Sequence, residues 1–368
     1  MRVAVLGGGN GAYATAADLS LGGHTVRLWR RADDELAAVR GAGITLVVDG
    51  RDMQARLDRV TGDIGEALEG AEFVIAAVPA TAHEDLGARL AKRITEKQVL
   101  LLTPGTLGAY VVTREIVRAG GVPPLAVAET GTLPYLARKT GPAAVTAPVR
   151  AANLPAGVFP AQRTAATLAR VRELFPAVRP CVDALDVALT NAGPVIHPPL
   201  VLLNAGAIDG GRFDVHAAGT TPSVRRLIEA VDAERVSARD GLRYPPPHYE
   251  LATYYEEARA AEGLYGAGAR ARLTASGLWN ETLTFDHRYV TEDVVLGLSF
   301  LESAGRAAGV ATPAITGLLG VFGALLGRTL SGKGRALDNL GLGDFTMREI
   351  RAFFAEGWRS PLWSKVLR

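Results

Sequence analysis

The sequence predicts a two-part chain: an α/β Rossmann-type doubly wound sheet followed by an all-α C-terminal domain. Three observations predict it. Through the first half, short β-branched runs alternate with alanine-rich helical segments, the pattern of a parallel sheet covered on both faces. The first turn is Gly7-Gly8-Gly9-Asn10-Gly11-Ala12, between an apolar run and an alanine-rich one. From Ala184 onward nearly everything has helical period and no further strand pattern is convincing. The expected domains are residues 1–184 and 185–368.

The elements follow in order. RVAVLG reads as the first strand, NGAYATAADLSLGG as a helix closed by Gly22-Gly23, and TVRLW as the second strand. FVIAAVP, QVLLLTPG and LAVAE continue the sheet, and AAVTAPVRAANLPAGVFP reads as extra strands at its edge. In the second half, TPSVRRLIEAVDAERVSARDGL places Val224, Leu227, Ile228 and Val231 on one stripe. Thr221 can cap that helix and Pro222 suits its first position. A long uncharged stretch, Ala307 to Gly327, reads as a buried core helix starting near Pro313, with small residues that let another helix approach. Its internal proline and glycines argue against a membrane span.

Composition narrows the class. At 48% hydrophobic and 21% charged, the chain has the balance of a globular protein. A formal net charge of +2 gives no reason to expect nucleic acid or an anionic membrane as partner. Cys181 is the only cysteine, so no internal disulfide can form. With a first strand beginning at Arg2, a reducing, cytoplasmic setting is expected.

The glycines have a specific reading. The run fits G-x-G-x-x-A, follows a strand and opens a helix. Gly7 permits the tight turn, Gly9 leaves room for a pyrophosphate, and Ala12 lets the helix pack on the strand. Asn10 and Gly11 begin the helix, whose free N–H groups face the phosphates. The second strand ends in Arg30-Arg31, where an NAD-specific unit carries an acid for the ribose. An arginine there can clamp a 2′-phosphate, so NADP(H) is the expected cofactor and NAD(H) the alternative. A solvated surface pair is the plainer reading of these arginines. Asp33 and Asp34 come slightly too late to replace the acid. Val78-Pro79 ends a central strand beside the expected crevice and could line the nicotinamide, or form an ordinary strand-to-helix turn.

A nicotinamide enzyme needs a proton-handling group. Six histidines are available. His24 lies in a turn far from the crevice, and His83 near a helix start suits a cap or the surface. His216 falls in a polar loop, His248 in YPPPHYEL and His287 beside Arg288. His197, in NAGPVIHPPLVLLNAG, sits just past the boundary. A lone histidine on an apolar segment is more often a core residue than a catalyst.

Here a family resemblance enters. NAGPVIHPPLVLLNAG, AGTTPSVRRLIEAVDAER, RYVTEDVVLGLSFLESAGRAAGVATPAI and AETGTLPYLAR resemble the octopine/nopaline (opine) dehydrogenases. The resemblance runs from Gly7 to about Leu319. It implies a nucleotide domain, a helical substrate domain and an active site between them. The implied reaction is NAD(P)H-dependent reductive condensation, through an imine, of a 2-keto acid such as pyruvate with the amino group of an amino acid, and its reverse. It also implies that His197 is the catalytic histidine, Asp293 its acidic partner and Arg288 a substrate-binding arginine. Locally, Asp293 or Glu292 could instead be an acid favoured by a helix N-terminus, and Arg288 could pair with Asp286 or Glu292. The tail from residue 331 supplies no residue to carry over.

Two rivals remain. Ketopantoate reductases and glycerol-3-phosphate dehydrogenases share the plan but rely on a catalytic lysine, and only Lys139 falls even near the expected crevice. An NADP(H)-binding sensor would need no His–Asp pair. Expected partners are small-molecule substrates, with a homodimer as assembly. The tyrosine-rich YPPPHYELATYYEEAR either lines the amine pocket or connects helices.

Overall fold

The computed structural model describes residues 1–31, 36–211, 213–280 and 283–367. Asp33 and Asp34 lie outside the described residues. Twelve strands are described: β1 (Arg2–Leu6), β2 (Thr25–Trp29), β3 (Ile44–Val48), β4 (Arg51–Ala55), β5 (Arg59–Thr61), β6 (Phe73–Ala76), β7 (Val99–Leu102), β8 (Ala126–Thr130), β9 (Tyr135–Gly141), β10 (Ala144–Arg150), β11 (Leu154–Phe159) and β12 (Val178–Pro180).

Eight of them form one sheet in the order β12-β11-β8-β7-β6-β1-β2-β5. From β8 to β5 every pairing is parallel. β11 turns back antiparallel to β8, so the sheet is mixed rather than wholly parallel. The chain alternates sides as strands require. Val3, Val5, Phe73, Ile75, Leu101 and Ala128 face one core with Ala12 and Tyr13 of the helix Asn10–Leu21. Ala4, Leu6, Val74, Leu100 and Val127 face the other, which is continuous with the helical half through Val195, Ile228, Val294 and Phe300.

One sequence expectation needs correction. The segment read as sheet-edge strands divides between two sheets. β10 belongs to a separate four-stranded sheet, β4-β3-β10-β9, while β11 joins the main sheet. The second sheet covers the helix Asn10–Leu21, and Tyr135 and Val145 complete that core.

After β12 the described residues are helical or irregular, from the helix Ala184–Ala188 onward. The helix Pro222–Gly241 is capped by Thr221, whose hydroxyl accepts the Val224 N–H at 3.4 Å, and buries Val224, Ile228 and Val231. The uncharged stretch forms the helix Pro313–Leu325. It buries Ile315, Leu318, Leu319 and Phe322 but leaves Val321 and Leu325 about half exposed. Gly317 and Gly320 face open space, so the expected close approach of another helix does not occur at them. The tail returns to the sheet instead. Phe353, Phe354 and Trp363 pack edge-on or tilted against Tyr110 and Phe159.

Candidate active site

The glycine turn sits where β1, β2 and β6 end. Gly7 has φ +136°, a conformation that side chains rarely adopt, and a Cβ there would lie 2.6 Å from the Ala77 carbonyl. Gly9 is different. Its backbone is extended, and a Cβ would meet nothing within 4 Å. No side chain caps the first turn of the helix Asn10–Leu21, so its N–H groups stay available to an anion. This open cradle fits a dinucleotide pyrophosphate. The Asn10 side-chain carbonyl accepts the Lys139 N–H at 2.9 Å, which ties the turn to β9. Lys139 Nζ lies 4.1 Å from the Tyr13 ring centroid.

The two arginines part company. Arg30 folds its side chain over Gly8. Arg31 is 75% exposed and 3.9 Å from Asp85. Val78 and Pro79 lead from β6 into the 3-10 turn Ala80–Ala82, beside Ala77 and therefore beside Gly7.

The catalytic candidates come from two elements. His197 lies on the helix Gly193–Leu202, and Asp293 on a π-helical segment, Tyr289–Leu298. The first carries Pro198 and Pro199 internally, at a cost of about 3 kcal/mol each in an isolated helix. Burial of Val195, Leu200 and Val201 opposes that cost. Two glycines let the elements close on each other. A Cβ on Gly193 would strike Asp293 Oδ1, and one on Gly297 would strike Pro194. At that approach His197 Nδ1 and Asp293 Oδ2 are 2.7 Å apart. With Nδ1–H donating to the carboxylate, Nε2 is left as the basic nitrogen.

The wide turn of the π segment also gathers the neighbours, as such segments do at functional sites. Tyr289 stacks on His197, centroids 3.6 Å apart, and its hydroxyl is 2.9 Å from His216 Nε2. Arg288 has its guanidinium 5.3 Å from the Tyr289 ring centroid and 3.9 Å from Glu292. Burial lowers His197 well below its ordinary value. It raises Asp293 to about 7, against the downward pull of Arg288 and His287.

These residues line a cavity of about 180 Å³. Asp293, His197 and Arg288 meet there, and the glycine turn lies outside its lining. Tyr254, Leu264, Tyr265, Leu273 and Trp279 form much of the remaining wall. The tyrosine-rich stretch therefore does line the pocket.

Sequence reasoning missed several buried polar groups. His216 is not merely in a polar loop; it faces the cavity 6.2 Å from His197. His83 is neither cap nor surface residue. It is fully buried, and its Nδ1 lies 2.9 Å from Arg335 Nη2. The signal was present, since His83, Leu86, Gly87 and Leu90 form one helical stripe, all buried. Glu129, at the end of β8, accepts the Leu107 and Ala109 N–H groups at 2.9 and 2.6 Å, and burial pushes it up to about 7. Arg335 comes from the unassigned tail, where no periodicity announced it.

A glycine cradle on a doubly wound sheet, facing a helical half that carries a buried His–Asp pair, defines a two-domain nicotinamide dinucleotide oxidoreductase. The comparisons narrow the class. Residues 180–326 match the alpha-helical domain of NAD/NADP octopine/nopaline dehydrogenase, and residues 3–142 match the ketopantoate reductase PanE/ApbA family. An opine dehydrogenase of Arthrobacter sp. (strain 1C) is 32% identical over 95% of this chain and 97% of its own. An octopine dehydrogenase of Mizuhopecten yessoensis is 24% identical over 85% of this chain and 87% of its own. The fold matches the structure of octopine dehydrogenase in complex with NADH and agmatine, with a TM-score of 0.71, 22% identity and coverage of 95% and 97%. The chain belongs to the opine dehydrogenase family. It is an oxidoreductase acting on CH–NH bonds, and it joins a keto acid to an amino acid by NAD(P)H-dependent reductive condensation. The ketopantoate reductase family model covers residues 3–142 alone and does not extend into the helical half. Among the described residues, no helix is long and apolar enough to cross a membrane.

Proposed function

We propose that His197 and Asp293 are the proton-handling pair of this reaction and that Arg288 holds a substrate carboxylate. The observation that carries the assignment is the 2.7 Å contact between His197 and Asp293 at the wall of the cavity. The amine attacks the keto carbon, and Nε2 of His197 takes a proton from the nitrogen. It passes that proton to the alkoxide oxygen, giving the carbinolamine. After the imidazole regains a proton from solvent, it delivers this second proton to the hydroxyl, which leaves as water and leaves a protonated imine whose carbon can take a hydride. Asp293 fixes the tautomer and steadies the imidazolium in between. The planar fork of Arg288 suits a keto-acid carboxylate. When bound, the reduced nicotinamide supplies the hydride to the imine carbon. Gly7, Gly9, Gly11, Ala12 and the Asn10 turn would hold its pyrophosphate, with Val78-Pro79 flanking. The functional division at Ala184, nucleotide site before and substrate site after, belongs to the same proposal, as does a cytoplasmic setting suggested by the single cysteine.

Two finer readings follow. The preferred cofactor is NADP(H), with Arg30 the better placed of the two arginines because it lies over the glycine turn. Replacing the pair (Arg30→Asp with Arg31→Ala) should weaken NADPH about tenfold or more relative to NADH in equilibrium titrations. Equal affinities in the wild type contradict it. The keto acid is pyruvate or a close relative, and the amine is that of an amino acid. The structures likened to this one include octopine dehydrogenase with L-arginine and with pyruvate. Here the wall is largely aromatic and carries both basic (Arg138, Arg270) and acidic (Asp214, Glu250) side chains. Cofactor oxidation with pyruvate should depend on added amine. Turnover without amine would favour a carbonyl reductase, and binding without turnover a sensor.

A further inference from the structure

We infer that Arg335 is a positioning residue of the opine reaction: from the C-terminal tail it pins the two turns at the carboxyl ends of β6 and β7 against the helical half. Arg335 is only 4% exposed. Its Nη1 donates to the Gly105 carbonyl at 2.9 Å and to the Thr106 carbonyl, and its Nη2 to the Ala80 carbonyl at 2.7 Å. Nη2 also meets His83 Nδ1. The guanidinium thus occupies the space between three backbone carbonyls and an imidazole, all from the nucleotide half.

The turns it holds are not self-supporting. Thr106 and Leu107 both have positive φ, 52° and 63°, a conformation that costs energy for residues with a side chain. Glu129 secures the same turn from its other side through the Leu107 and Ala109 N–H groups. Strand ends of this kind border the crevice in which doubly wound sheets bind ligands.

Two hydrogen-bonded routes connect the clamp to the catalytic pair. In the first, Asn191 Nδ2 donates to Thr106 Oγ1 at 2.8 Å, and Asn191 Oδ1 accepts the Gly193 N–H at 3.0 Å. Gly193 abuts Asp293 and opens the helix that carries His197. In the second, the Ala80 N–H donates to Glu292 Oε1 at 2.8 Å, one residue before Asp293. Arg335 touches neither His197 nor Asp293. It sets the relative position of the two halves that must meet, and small misplacements at such a junction cost rate out of proportion to their size.

The inference rests on the opine dehydrogenase reading. Amine-dependent turnover of the wild type in the same assay tests that reading separately, so the two can fail apart. The test is Arg335→Ala, with NADPH affinity, melting temperature, and kcat at saturating substrates measured well below melting. The expected result is NADPH affinity within about threefold of wild type and kcat lowered about 10- to 100-fold. Guanidinium at sub-denaturing concentration should restore part of the rate, and sodium chloride at equal concentration should not. A residue that only stabilised the fold would lower the melting temperature and show no such rescue. Near-normal kcat, loss that tracks NADPH affinity, or absence of rescue overturns the inference. If Arg335→Ala does not fold, Thr106→Val decides the matter, since it cuts the first route while leaving Arg335 in place. It should lower kcat about fivefold at unchanged NADPH affinity, and unchanged kcat overturns the inference.

Discussion

His197→Asn should fold, bind NADPH normally and lose roughly 10²-fold or more in kcat, the scale of general acid–base catalysis. Asparagine keeps a polar group of similar reach beside Asp293 but cannot carry a proton through the imine steps. A histidine that merely filled the core would behave otherwise: its loss would appear in melting temperature and leave turnover per folded molecule intact. The pH profile adds a second check. Asp293 must be ionised to accept the Nδ1–H, and its value is raised to about 7. The rate should therefore fall as pH drops through about 7, the apparent value belonging to the coupled pair. Asp293→Asn should flatten that limb. Stability moves the other way. A carboxyl whose folded value is raised stabilises fully below its ordinary range and loses that contribution as pH rises through about 7. Asp293→Asn should therefore gain melting temperature relative to wild type more at pH 8 than at pH 5. A variant that is more stable and less active is the trade expected of a buried catalytic acid.

Gly9→Val should leave the melting temperature near that of wild type and weaken NADPH binding by about 100-fold, equivalent to about 2.7 kcal/mol. The residue is extended and its missing side chain would meet nothing within 4 Å, so the protein alone gives valine no reason to be excluded. Only a group seated in the cradle would clash with it. Gly7→Ala makes the contrast. Its φ of +136° and the nearby Ala77 carbonyl make any side chain strained, so that variant should lose stability as well as cofactor. Thermal melts with and without NADPH separate the two. A Gly9→Val protein that binds NADPH as the wild type does removes the glycine turn from the cofactor site.

Much of this was legible because it was local. The turn at Gly7 to Ala12 announces itself by composition, and the helix at Pro222 by its cap and stripe. The second sheet was not legible. β10 and β11 read as neighbours in one sheet because only residues 151–153 separate them, and nothing in a strand's own residues says which partner it will take. The His–Asp pair spans 96 residues of sequence. Each member read alone had an ordinary explanation, and only the resemblance put them together. Tyr289 and His216 escaped for a related reason: a π-helical turn gathers Arg288, Tyr289, Glu292 and Asp293 on the cavity side, and hydrophobic periodicity does not distinguish it from an α-helix. Arg335 had no signal at all, since an irregular glycine-rich tail gives no face by which to judge burial.

Whether His197 and Asp293 act as one unit is measured by kcat for the double variant beside the two single ones. If they do, Asp293→Asn costs a loss comparable to His197→Asn, and His197→Asn with Asp293→Asn is hardly slower than either alone. Full additivity of the two losses, or near-normal kcat in His197→Asn, would contradict the account and remove His197 from the chemistry.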